Sequence, residues 1–249
     1  MNIKVIFQYR FDAIIGSIST LLMQISVLIF LDAIFNNVKE CGGWNYNEVL
    51  LMYGMFTVCR GLNHVFFDNL WIIGREFIRK GTFDIFLVRP ANELFLLLSQ
   101  KVQPDGLGTL ILGIVIFNKA LGNLKLKVTL PNVLVFIFIF IMGTCIIATI
   151  NWIFSVSSFW VVKSHNIIWT VFSVADFAQY PLEIFSPAIR FILTKFIPYG
   201  FVSYYPACYL LGKASSIVLI QELGVLLALA VIGHCLWKIG LKRYESSGN

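Results

Sequence analysis

The sequence predicts an all-α membrane protein with six transmembrane helices. It also predicts an N-terminal interfacial helix, a short cytoplasmic helix between the second and third spans, and external re-entrant helices before the last span. Three observations carry this. The 249 residues are 58% hydrophobic and 13% charged, too little charge to cover a soluble domain of this size. The apolar residues gather in runs near the 20 or so needed to cross hydrocarbon. The basic residues flank those runs and form no stripe with stacking aromatics, so the net charge of +6 reads as a topology signal and excludes a nucleic-acid surface.

Taken in order, Ile3, Phe7 and Phe11 recur every four residues among Lys4, Gln8 and Arg10. That spacing predicts an interfacial helix over residues 1–10, or equally a frayed start to the first span. The run is too long for a signal-peptide core and lacks a cleavage site, so it counts as a span. The six spans are Phe11–Ile34, Val49–Ile73, Val102–Leu121, Leu130–Val156, Ile167–Tyr180 and Ser216–Trp237. Pro104 and Asp105 interrupt the third and Asp176 the fifth. Residues 180–213 hold Pro181, Pro187, Pro198 and Pro206 among many Phe and Tyr residues. Prolines this dense forbid one helix, so the segment is expected as broken or re-entrant helices, an external lid with a gating role.

With both ends cytoplasmic, Lys4, Arg10, Arg75, Arg79, Lys80, Arg89, Lys101, Lys163, Lys238, Lys242 and Arg243 fall inside. Lys39, Lys119, Lys125, Lys127, Arg190, Lys195 and Lys213 fall outside. The bias favours that orientation. The five cysteines show no metal-ligand spacing and read mostly as buried apolar side chains. A Cys41–Cys208 pairing on the external face is left open.

Two stretches raise functional questions. In "GTFDIFLVRPANEL" (Gly81–Leu94), Thr82 is placed to cap a helix and Asp84 to sit in its first turn. Pro90 biases Arg89 out of helical geometry, so the helix stops there. Phe83, Ile85, Phe86, Leu87 and Val88 make it more apolar than a cytoplasmic loop needs. It fits an interfacial helix on the inner leaflet or a knob for a partner's groove equally well. In the second span, Arg60, His64 and Asp68 recur every four residues with Asn63 alongside, and Asp105, Asp176 and Glu222 are candidate partners. Charge inside a span is costly and faces protein. The set reads as a structural polar network, a translocation path, or the proton relay of a stand-alone ion-coupled transporter.

"GTFDIFLVRPANEL", "YYPACYLLGK" (Tyr204–Lys213) and "WKIGLKRYESSGN" (Trp237–Asn249), in this order around six spans, resemble permease subunits of type-2 ABC exporters. The polar "SQKVQPDG" (Ser99–Gly106) departs from that pattern. The resemblance implies a single transmembrane permease domain over residues 1–249, with a cytoplasmic coupling loop at 74–93. Its docking knob for the ATPase would be Thr82, Phe83, Asp84, Ile85, Phe86, Leu87 and Val88, with Arg89 and Pro90 fixing the exit. It further implies two copies of an ATP-binding subunit and a second permease, identical or homologous, in a bacterial inner membrane. ATP and Mg would be bound by the partner alone. The chain carries no phosphate-cradling G-x-x-x-x-G-K-[ST]. His64, His165 and His234 are isolated, so no catalytic constellation is expected. Gly106, Gly108 and Gly113 permit close helix contacts.

Overall fold

The computed structural model describes residues 3–78, 80–99, 102–161 and 164–244, with the backbone alone for 3–14, 72 and 74–76. The basic flank at Arg75 and Arg79, and Lys101 and Lys163, therefore lie outside the described side chains.

Helix α1 (Ile3–Phe35) is unbroken. Its sequence contains no proline, and no break in the helix separates residues 3–10 from the first span. A hairpin of β1 (Glu40–Cys41) and β2 (Trp44–Asn45) then reverses the chain. Its two turn residues, Gly42 and Gly43, have φ of 60° and 79°, the left-handed geometry that a two-residue hairpin turn demands. Helix α2 (Tyr46–Phe67) starts from a reciprocal cap. The Glu48 N–H donates to Asn45 Oδ1 at 3.1 Å, and the Asn45 N–H donates to Glu48 Oε2 at 3.0 Å.

The expected second span, Val49–Ile73, is interrupted at Asp68, beyond which lie α3 (Asn69–Ile72) and a π-helical stretch, Ile73–Ile78. Gly81 (φ 66°) turns the chain out of that stretch, and α4 (Asp84–Leu87) and α5 (Glu93–Ser99) follow. Helix α6 (Gly106–Asn123) begins four residues later than expected, because Pro104 and Asp105 sit in a turn. Helix α7 (Leu130–Ser155) matches its span to within one residue.

The fifth span, expected over Ile167–Tyr180, has different bounds. Helix α8 (Ser164–Ala175) has 12 residues before the chain tightens into a single turn at Asp176–Gln179. Twelve residues rise about 18 Å, short of the hydrocarbon thickness. Among the described residues, five helices, in α1, α2, α6, α7 and α11 (Ile217–Arg243), are long and apolar enough to cross a membrane. The last of them runs six residues past its expected end at Trp237.

Between α8 and α11 the prolines do what the sequence predicts. Short turns at Leu182–Ile184 and Tyr199–Phe201 alternate with α9 (Pro187–Phe191), a π turn at Ile192–Phe196 and α10 (Tyr204–Leu210). Leu193, Ile197, Tyr199 and Val202 are buried in one cluster with Phe56, Cys59, Ile146 and Ile150. The broken segment thus reaches well into the bundle. All five cysteines are free.

The tightest packing joins α2 to α6. A Cβ on Gly61 would lie 2.6 Å from the Leu110 backbone, and one on Gly113 2.6 Å from the Val58 nitrogen. Gly54 faces Phe117 and Gly106 faces Val65 in the same way. The residue numbers of every facing pair have the same sum, the mark of one antiparallel register. Ser17 Oγ donates to the Asp105 carbonyl at 3.2 Å, while the Phe35 ring meets Tyr46 at 5.7 Å. Helix α1 therefore runs from the end holding residues 80–99 toward the hairpin. Helix α11 returns the other way, with Trp237 against Phe83. Both ends of the described chain lie at the end of the bundle that carries α4.

Candidate functional site

Two places concentrate the candidate residues. The first is α4. Phe83 and Phe86 are 0% and 1% exposed and point into the protein. Phe83 packs against Phe159, Trp237 and Tyr244 with ring centroids 5.7, 6.0 and 5.2 Å away, and Phe86 meets Phe77 at 5.1 Å. These two side chains offer nothing to a partner, which corrects the expectation that the whole segment is a knob. The segment is too short to bury an apolar stripe along its length, so two residues spaced three apart anchor it. Ile85, Leu87 and Val88 are 49%, 42% and 80% exposed, and Arg89 and Pro90 continue the exposed ridge. Helix α4 ends before Arg89, as its Pro90 requires. The cap differs from expectation: Phe83 occupies that position, with no side-chain cap bond, while Thr82 lies one residue earlier. Asp84 stands in the first turn beside Tyr244. Burial, and after it the Asp84 carboxylate, push the Tyr244 phenol up.

The second place is a cavity of about 360 Å³ lined from α1, α2, α6, α7 and α8 and by Tyr199. Arg60, Asn63, His64 and Asp68 all face it, as the four-residue spacing predicts, and Asp176 joins them from the end of α8. Arg60 is ion-paired with Asp176, and its guanidinium lies 4.1 Å above the centre of the Phe172 ring. His64 Nε2 is 3.4 Å from Asp105 Oδ2. Asn151 Nδ2 donates to Asn63 Oδ1 at 3.3 Å, tying α7 to α2. Part of the remaining wall is aromatic: Trp71 meets Trp169 at 5.8 Å and Phe172 at 5.2 Å.

Glu222 is the exception. It is fully buried, neither carboxylate oxygen has a hydrogen-bond partner among the described residues, and no residue of α11 lines the cavity. It does not supply the partner expected of it, because α11 packs against α7 through Gly233 and Trp152. The sequence reading missed Asn151, Trp71, Trp169 and Tyr199. A carboxamide late in the apolar run of α7 was a usable signal, since polar groups at such depth need partners. Trp71, three residues beyond Asp68, continues the helical spacing of the polar set, whereas Trp169 and Tyr199 carried no signal, because α8 and the broken segment have no register from which to place them.

Membrane-length helices around a partly polar cavity, with an anchored short helix at one end, have the build of a multi-pass membrane permease. The chain belongs to the family described as ABC-2 family transporter protein, which it matches over residues 21–248. It is thus the membrane subunit of an ABC transporter, a family whose permeases generally work with an ATP-binding subunit. No significant match emerged among curated proteins or among solved structures.

Proposed function

We propose that this chain is the permease half of an ATP-driven exporter. It pairs with a second permease, identical or homologous, and is moved by two copies of a separate ATP-binding subunit that binds the ATP and Mg. Catalysis belongs to that partner. The α4 end, with both termini, faces the cytoplasm of a bacterial cell across the inner membrane.

The observation that carries this reading is the two-sided build of α4. Phe83 and Phe86 fix it to the body of the protein, while Ile85, Leu87, Val88 and Arg89 stand proud of it. An apolar ridge with a basic rim suits a groove on a soluble partner. A push on a ridge anchored this way is delivered to the helices instead of being absorbed by a floppy loop. Nucleotide binding then shifts the bundle between arrangements by its differential affinity for them. The stand-alone ion-coupled alternative gains nothing from the geometry: Arg60 and His64 both face carboxylates, and the set is not a relay leading across the bundle.

The test is co-purification. An ATPase is expected to travel with the wild-type protein, and Val88→Asp is expected to release it while the permease stays folded and monodisperse. Retention of the ATPase by Val88→Asp, or transport under a proton gradient without nucleotide, overturns the reading.

A further inference from the structure

The charged groups around the cavity already have partners, while several neutral polar groups in its wall do not. Arg60 is held by Asp176 and the Phe172 ring, His64 faces Asp105, and Asp68 is engaged as well. By contrast, Asn63 Nδ2, Asn151 Oδ1 and the Tyr199 hydroxyl lack a hydrogen-bond partner among the described residues. All three side chains are deeply buried, Tyr199 completely. Leaving such atoms unmatched is unfavourable, and three of them line one cavity. Trp71, Trp169 and Phe172 line the same cavity.

We propose that this cavity, formed within a single permease, binds an uncharged amphipathic molecule. The ligand has a flat apolar body and carries both a hydrogen-bond donor and an acceptor. Its body lies along the indole and phenyl rings. Its acceptor receives a hydrogen bond from the Tyr199 hydroxyl or Asn63 Nδ2, and its donor gives one to Asn151 Oδ1. An ion entering the same space would find the existing charges compensated and no counter-charge of its own, which penalises it. The volume of about 360 Å³ lies at the small end of ligand pockets. Naming the occupant a cargo rests on the transporter reading; its binding does not.

The experiment uses the full-length protein in lipid nanodiscs with aminomethylcoumarin as the probe, a flat neutral molecule with an amine donor and a carbonyl acceptor. Energy transfer from tryptophan is expected to saturate. Tyr199→Phe, which removes only a hydroxyl, is expected to melt no lower than wild type yet to bind roughly tenfold more weakly. Asn151→Leu is a second variant with the same expected direction. Tetraphenylphosphonium and anilinonaphthalene sulfonate are expected not to compete. A signal no different from that of empty nanodiscs overturns the proposal. So does unchanged affinity in Tyr199→Phe, the mark of a cavity filled by water alone, or equal competition by either ion. No ATPase is present, so failure here leaves the co-purification result standing, and the reverse also holds.

Discussion

Helices α2 and α6 meet backbone to backbone, whereas α1 and α11 leave most of their surface uncovered. Within the apolar windows of these helices, 78% of α2 is buried, against 6% of α1 and 17% of α11. On α1, Ile15, Leu22, Met23 and Ile29 are all more than half exposed. The pair linked by the α4 loop is thus a stiff central unit, and the outer helices are left for lipid and for the proposed second permease. In hydrocarbon no hydrophobic force draws helices together, so closeness of fit decides which ones hold. Glycine supplies that fit at four levels between α2 and α6.

The contrast is breakable. Gly61→Leu drives a side chain into the Leu110 backbone, where a helix cannot give. It is expected to abolish recovery of folded protein, seen as loss of the monodisperse peak on size exclusion in detergent. Phe83→Ala empties a fully buried site among Phe159, Trp237 and Tyr244, and is expected to cost about 3 kcal/mol. Thermal unfolding followed by tryptophan fluorescence checks it, and the loss is expected to loosen the α11 end first. Asp176→Asn removes the partner of Arg60. Because that carboxylate is about half exposed, the cost is about 1 kcal/mol or less, and a double-mutant cycle with Arg60→Met isolates it. Gly224→Leu on α11 meets nothing within 4 Å and is expected to stay within about 0.5 kcal/mol of wild type. If Gly224→Leu proves as damaging as Gly61→Leu, the division into stiff centre and loose periphery fails.

What the sequence disclosed follows the same division. Lengths of apolar run located α7 to within a residue and α2 and α6 less closely, because hydrocarbon thickness sets the length of a run but not where turns such as those at Asp68 and Asp105 cut it. The prolines located the broken segment, since a missing N–H acts locally. The four-residue spacing of Arg60, His64 and Asp68 correctly put them on one face, again a local property. Failures came where the answer depended on what lay opposite. Nothing in "GTFDIFLVRP" says that Phe83 and Phe86 turn inward, because that depends on Trp237 and Tyr244, more than 150 residues away. Glu222 was assigned to the polar set for its charge alone, and the packing of α11 took it elsewhere. The short α8 was overestimated because Phe177 and Tyr180 extend its apolar run past the point where Asp176 pairs with Arg60.

The shared register of α2 and α6 also limits how such a protein can change in length. Deleting one residue within α6 would rotate everything beyond it by about 100°, carrying the later glycines off the face of their neighbour. A homologue or an engineered variant could therefore change length in the connection between the two helices, away from the anchored α4, without disturbing this register. Inside them, only deletions close to whole multiples of seven would leave the seam matched.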